Sequence, residues 1–218
     1  MKLPFFAIFV VFGIWLTIVR IRVKKKDKKS GDEFLEREKR ANETPATSLD
    51  DLNYIVIPKE LLPFDSSPTP EMVPSDLPPG YYDDLSEVQS ILGTFTTGER
   101  PTVNLTGQTN TDLKLQYGAD NLDRLTVYDQ NYTLLVRSLQ KWAMLLLRTH
   151  KDKEALTVLE YAVSIGTDVS GTYKELTKLY VRDRNRDALS ELLEKAKEIH
   201  TPLRSSILST IESGLSRI

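Results

Sequence analysis

Two acidic pairs, Asp50-Asp51 and Asp83-Asp84, and two histidines, His150 and His200, are the residues whose types could carry acid–base or metal chemistry. Neighbouring carboxylates in a cleft share protons or hold cations, and an imidazole moves a proton near neutral pH. Their surroundings point elsewhere. The acidic pairs stand beside proline-rich stretches, where acids serve as turn and cap residues, and the histidines fall near the ends of two helical patterns, where the helix dipole favours a cation. Cysteine is absent, which removes disulfides, thiolate metal sites and a cysteine nucleophile and fits a reducing compartment. No nucleophile–base pair, glycine-rich phosphate loop or metal-ligand spacing occurs, so the expectation is a protein that is not an enzyme and uses no cofactor or metal.

The stretch that positions the rest is Leu3 to Val19, seventeen residues without a charge and with Thr17 as the one polar side chain. At ~1.5 Å per residue it covers roughly 26 Å, just enough to span a bilayer core if Arg20 and Arg22 snorkel. The run meets Arg20, Arg22, Lys24, Lys25, Lys26, Lys28 and Lys29 instead of the small residues of a signal-peptide cleavage site. It has no polar face of the kind an interfacial helix needs. A single transmembrane helix is therefore predicted, with the N-terminus outside and the remainder cytoplasmic by the positive-inside rule, and the Arg20–Lys29 cluster against the lipid headgroups.

Residues 1–29 hold eight of the 29 Lys and Arg but one acid, which leaves 21 bases against 30 acids beyond them. That balance makes nucleic acid a poor ligand for the soluble part. Three domains are expected: residues 1–29 as anchor and basic flank, 30–83 as a charged juxtamembrane segment and Pro-rich linker, and 84–218 as an α-helical domain. Asp32 to Glu43 reads as a solvated helix. Between Thr44 and Gly80 lie eight of the eleven prolines, a density that holds the backbone near polyproline II. Two apolar islands interrupt that spacer, Tyr54 to Ile57 and Leu61, Leu62 and Phe64, as an arm packed on the domain or a short motif for another protein would require.

A short amphipathic helix is predicted from Asp84, with Glu87 completing a capping box, up to Gly93. The alternation Leu113, Leu115, Tyr117 hints at a strand or docked loop. From Asn121 the 3.6-residue period takes over: a long helix through Leu139, Trp142 and Leu146 to about Thr149, a second over Asp152–Ile165 closed by Gly166, a third from Ser170 or Thr172, a fourth from Asp187, and a fifth over Leu203–Leu215 opened by Pro202.

These helices repeat. Leu139, Trp142, Ala143 and Leu146 align with Tyr173, Leu176, Thr177 and Tyr180, while Ala155 and Leu159 recur 33 residues on as Ala188 and Leu192. The pattern resembles the tetratricopeptide repeat, a helix-turn-helix unit with Trp, Leu, a small residue and Tyr in its first helix and Ala, Phe and Ala in its second. About two degenerate copies cover residues 136–201. Leu159 and Leu192 replace the Phe, Thr177 replaces a small residue, Ala162 supplies the last Ala where Lys195 does not, and the closing Pro is missing after the first copy. The fold class is thus mainly α, with tetratricopeptide-like antiparallel hairpins between a long first helix and a C-terminal capping helix.

The resemblance implies a groove that accepts another protein or peptide. Its candidate residues, on first helices and facing away from the core, are Arg137, Lys141, Lys174 and Lys178, all basic, so an acidic segment would suit them. The expected function is a membrane-tethered adaptor or scaffold in the cell membrane. The alternative is a structural or assembly protein of the cell envelope that works through its Pro-rich linker. Three Asn-x-Ser/Thr sequons, at Asn42, Asn104 and Asn131, would matter only in a secretory lumen.

Overall fold

A computed structural model describes residues 31–65 and 77–218, together with residues 12, 15, 16, 19 and 20. The predicted membrane rod Leu3–Val19, its Arg20–Lys29 flank and part of the Pro-rich linker lie largely outside the described residues. Among the described residues no helix is long and apolar enough to cross a membrane, and none forms a strand; a single isolated antiparallel bridge joins Tyr54 and Val103. The fold is mainly α and divides into two compact units, Met1–Ser48 with Thr109–Leu122, and Leu49–Gln108 with Asp123–Ile218.

In the smaller unit, residues 31–43 form a helix, α1, on which Phe34 and Leu35 stay exposed. Its partner is α3, Asn110–Tyr117. The alternation Leu113, Leu115, Tyr117 does not make a strand because Thr109 caps a helix: its hydroxyl accepts from the Asp112 N–H at 3.2 Å and its own N–H donates to the Asp112 carboxylate at 3.1 Å. Two donors that a helix start leaves orphaned are thereby satisfied, and that outweighs a weak alternation. Glu38 of α1 pairs with Lys114 and accepts from the Thr111 hydroxyl at 2.7 Å; these partners, Lys114 foremost, hold its carboxyl below the usual range. After α3 the chain turns at Gly118, φ +90° and ψ 148°, a region open to glycine, and an added Cβ would sit 2.4 Å from the Pro45 carbonyl oxygen.

The larger unit begins with an extended arm. Ile55 and Ile57 donate backbone hydrogen bonds to the carbonyls of Thr102 and Phe95, at 2.8 and 3.0 Å. A 3-10 turn, Lys59–Leu61, follows. Ile57 and Leu62 are buried in the core, and the Phe64 ring lies 5.0 Å from that of Trp142. Burial of such side chains contributes ~1.5–3 kcal/mol apiece, which offsets the entropy of ordering the arm. Helix α2, Tyr81–Gly93, starts three residues before the predicted Asp84 cap, behind Gly80 at φ +82°, and has no side-chain cap. Asp84 donates its N–H to the Gly80 carbonyl at 2.9 Å, inside the first turn, where the dipole favours acids. The Tyr81 hydroxyl anchors α2 by donating to the Leu145 carbonyl at 2.9 Å.

Five helices follow: α4 (Leu122–Arg148), α5 (Asp152–Ser164), α6 (Ser170–Arg182), α7 (Arg186–Glu198) and α8 (Arg204–Leu215). The turns after α4, α5 and α6 share one design. A residue in the left-handed region, His150, Gly166 or Arg184, is followed by an N–H that reaches back five residues: Lys151 to Leu146, Thr167 to Ala162 and Asn185 to Tyr180, at 3.0, 3.1 and 2.8 Å. Asn185 then caps α7, its side-chain oxygen accepting from the Ala188 N–H.

His150 and Arg184 lie 34 residues apart, so the turns set a register of 34 and not the 33 read from Ala155 and Ala188. In that register Ala162 matches Ala196, both fully buried, and the exposed Lys195 no longer breaks the pattern. The first helices follow it through three copies. Leu139, Tyr173 and Ile207 are buried, as are Ala143, Thr177 and Ile211, and Leu146, Tyr180 and Gly214. Thr177 tolerates its core position because its hydroxyl donates to the Tyr173 carbonyl at 2.8 Å.

The shared turn predicts opposite effects at two of its sites. Arg184 adopts φ +52°, a conformation costing a non-glycine residue ~1–2 kcal/mol, so Arg184→Gly should raise the unfolding free energy by up to about 1 kcal/mol. Gly166→Ala should lower it, since φ is +79° and the new Cβ would lie 2.9 Å from the Asn104 side-chain nitrogen. Urea denaturation of the two variants checks both signs.

Candidate partner-binding groove

The helices of the larger unit pack in sequence order, α5 on α6, α6 on α7 and α7 on α8, and the first helices α6 and α8 also pack on each other. That last contact is unusually close because Gly214 presents no side chain. A Cβ there would come within 2.5 Å of the Thr177 Cγ2 and 3.3 Å of the Val181 Cγ2. Above this contact the two helices leave a groove of about 630 Å³. Lys174, Lys178 and Arg182 line it from α6; Ser206, Ser209, Thr210 and Ser213 line it from α8, with Arg217 just beyond the helix end.

Each cation on α6 stands four positions on from the last, at 174, 178 and 182, so they form one ladder along a single face. Two of them are already engaged at their flanks. Lys178 donates to the Glu175 carboxylate at 2.8 and 3.0 Å. Arg182 pairs with Asp152 and, at 3.0 Å, with Asp183, and these bonds hold its guanidinium more firmly protonated than usual. Lys174 has no acid partner among the described residues, and Arg217 donates to the Ser213 hydroxyl at 3.4 Å. Among the described residues no acid lines the groove.

Of the four residues singled out from sequence, Lys174 and Lys178 meet in this groove. Lys141 does not. Its ammonium donates to Asp84 at 2.7 Å and Glu87 at 3.1 Å on α2, and these acids raise its pKa. Arg137 is exposed on α4 and is not among the groove-lining residues. Sequence reasoning missed Arg182 and Arg217, although extending the four-residue ladder reaches Arg182; continuing the 34-residue register into α8 makes Gly214 the equivalent of Tyr180, and its close approach to Thr177 is visible only in the structure.

Two other concavities are differently built. One, about 500 Å³, lies over α5 and α7 with Leu62, Leu176, Ala188 and Leu192 among its lining. At its edge the Tyr180 hydroxyl donates to Glu160 at 2.6 Å, and burial first, then that carboxylate, pushes the phenol pKa upward. The second, about 750 Å³, is lined by Asn104, Asp168, Glu198 and His200 among others. The Asn104 amide there is occupied, donating to the Tyr132 hydroxyl at 3.0 Å and the Ile165 carbonyl at 3.3 Å. Tyr173, buried below, has its phenol pushed up to about 12 by desolvation and by Asp168. Among the described residues no group of His, Asp and Glu is arranged to hold a metal ion.

Comparison of the chain with protein-family models, with curated proteins and with solved structures gives no match.

The groove depends on the missing side chain at Gly214. Gly214→Ala forces α6 and α8 apart and should cost ~1–3 kcal/mol, as overpacking does. Thr177→Ser removes the methyl the new Cβ would strike. The pair should therefore be less destabilised than the sum of the two singles in a double-mutant cycle of denaturant unfolding.

Proposed function

We propose that this chain is a membrane-tethered adaptor whose helical module, tetratricopeptide-like, receives a segment of another protein. The observation that carries the reading is the 34-residue register shared by α4, α6 and α8, which buries equivalent positions of all three first helices. Stacks with that register expose a continuous surface along their first helices, and the α6/α8 groove lies on such a surface. The apolar run Leu3–Val19 and the seven cations after it support a single membrane pass with the module on the cytoplasmic side. Burial of Ile57 and Leu62 in the core commits apolar residues of the linker to the module itself, which favours the adaptor over a protein that acts through its linker.

A photo-crosslinking residue placed at Ser206 of the full-length protein in intact membranes should yield a discrete protein adduct, while the same residue at Asp123, outside the groove, should not. Protease added to unbroken cells should leave the module intact. Equal adducts from both positions, or digestion of the module from outside, would overturn the reading.

A further inference from the structure

We infer that the α6/α8 groove seats an acidic, extended segment of the partner protein, with carboxylates spaced to meet Lys174, Lys178 and Arg182. The inference rests on the adaptor reading and specifies its partner.

Charge carries the first part of the argument. Beyond residue 29 the chain has 21 bases against 30 acids, yet among the described residues the groove is lined by four cations and no acid. A pocket whose charge opposes that of its surroundings gathers ligands of the complementary sign. Lys174 and Arg217, without acid partners among the described residues, supply the uncompensated charge. Lys178 and Arg182 are held in position by Glu175, Asp152 and Asp183, so they can share an incoming carboxylate with little further loss of side-chain freedom.

Spacing carries the second part. Successive cations four residues apart on a helix rise ~6 Å, close to the ~6.6 Å between alternate residues of an extended chain. A segment with acids at alternate positions matches all three rungs, whereas one phosphate would meet a single rung. The opposite wall offers the hydroxyls of Ser206, Ser209 and Ser213 as hydrogen-bond partners for the segment's backbone. Among the described residues, Thr177, Val181 and Gly214 complete the lining, which holds no aromatic, Leu, Ile or Met side chain to meet an apolar helix face.

The test uses the full-length protein in phosphatidylcholine nanodiscs and a fluorescent peptide alternating Glu and Ser, with a Gln–Ser peptide as control. Binding should be specific for the Glu peptide and weaken as salt is raised. It should fall at least about tenfold in the exposed double substitution Lys174→Glu with Arg217→Glu. It should survive Lys24→Gln, Lys25→Gln and Lys26→Gln, which thin the basic flank. Ser206→Phe, which fills the groove without altering charge, should also abolish it and covers the case in which charge reversal perturbs folding. Binding unchanged by the groove substitutions, or lost only with the flank, overturns the inference. So does displacement of the peptide by phosphatidylserine vesicles whose own binding needs the same groove residues. If the crosslinker at Ser206 still captures a discrete protein when the Glu peptide fails, the adaptor stands and the acidic partner falls.

Discussion

Burial of one face of α6 is the constraint on which the larger unit depends. Thr172, Tyr173, Leu176, Thr177, Leu179 and Tyr180 all lie within the interior, and α6 packs on α5, α7 and α8 while the Thr172 hydroxyl donates to Gln140 of α4 at 2.8 Å. A helix with four neighbours cannot shift to suit one of them without losing contact with another. Its polar core residues are tolerated only because each finds a partner, as the Tyr173 hydroxyl does at the Thr167 carbonyl, 2.8 Å away. The face left over after that packing carries Lys174, Lys178 and Arg182, all three exposed.

The recurring turn explains how four helices, α4 to α7, reach this arrangement from local signals. Each left-handed residue closes its helix with a five-residue back-reach, and the next helix is launched antiparallel against the one just made. Only Gly166 announces the turn in sequence. His150 and Arg184 pay a conformational penalty at equivalent positions, which shows that the surrounding packing, rather than residue preference, determines the turn there.

Long periodic helices were legible because an apolar stripe of period 3.6 leaves few alternatives. The second helices read one residue short because Ala155 and Leu159 find the same residue types 33 positions on, at Ala188 and Leu192, whereas the backbone counts from the turns and keeps the 34 already seen between the first helices. Helix α3 resembles a strand in sequence since three alternating apolar residues look alike in either element; the Thr109–Asp112 reciprocity that decides for a helix is a short-range signal. Two of the groove's four cations, Lys174 and Lys178, are legible in the sequence, because they lie opposite an apolar stripe. Lys141 could not be separated from them, because its engagement by Asp84 and Glu87 requires α2 to dock on α4, a tertiary event that Tyr81 settles through a bond to a backbone carbonyl 64 residues away. Arg217 and Gly214 are not legible because α8 carries Thr210 and Ile211 where the first helices have Trp or Leu and a small residue, so it reads as a cap and not as a third first helix.

Among the described residues α6 is the element with the most packed neighbours, and the groove is formed on its remaining face. Native-state hydrogen exchange of the full-length chain tests this most directly. The account predicts that the amides of Leu176 to Tyr180 exchange only through global unfolding and more slowly than those of α8, with Ile57 protected in the same cooperative unit. Exchange in α6 as fast as in α8, or an Ile57 amide that exchanges as freely as a loop, would contradict it.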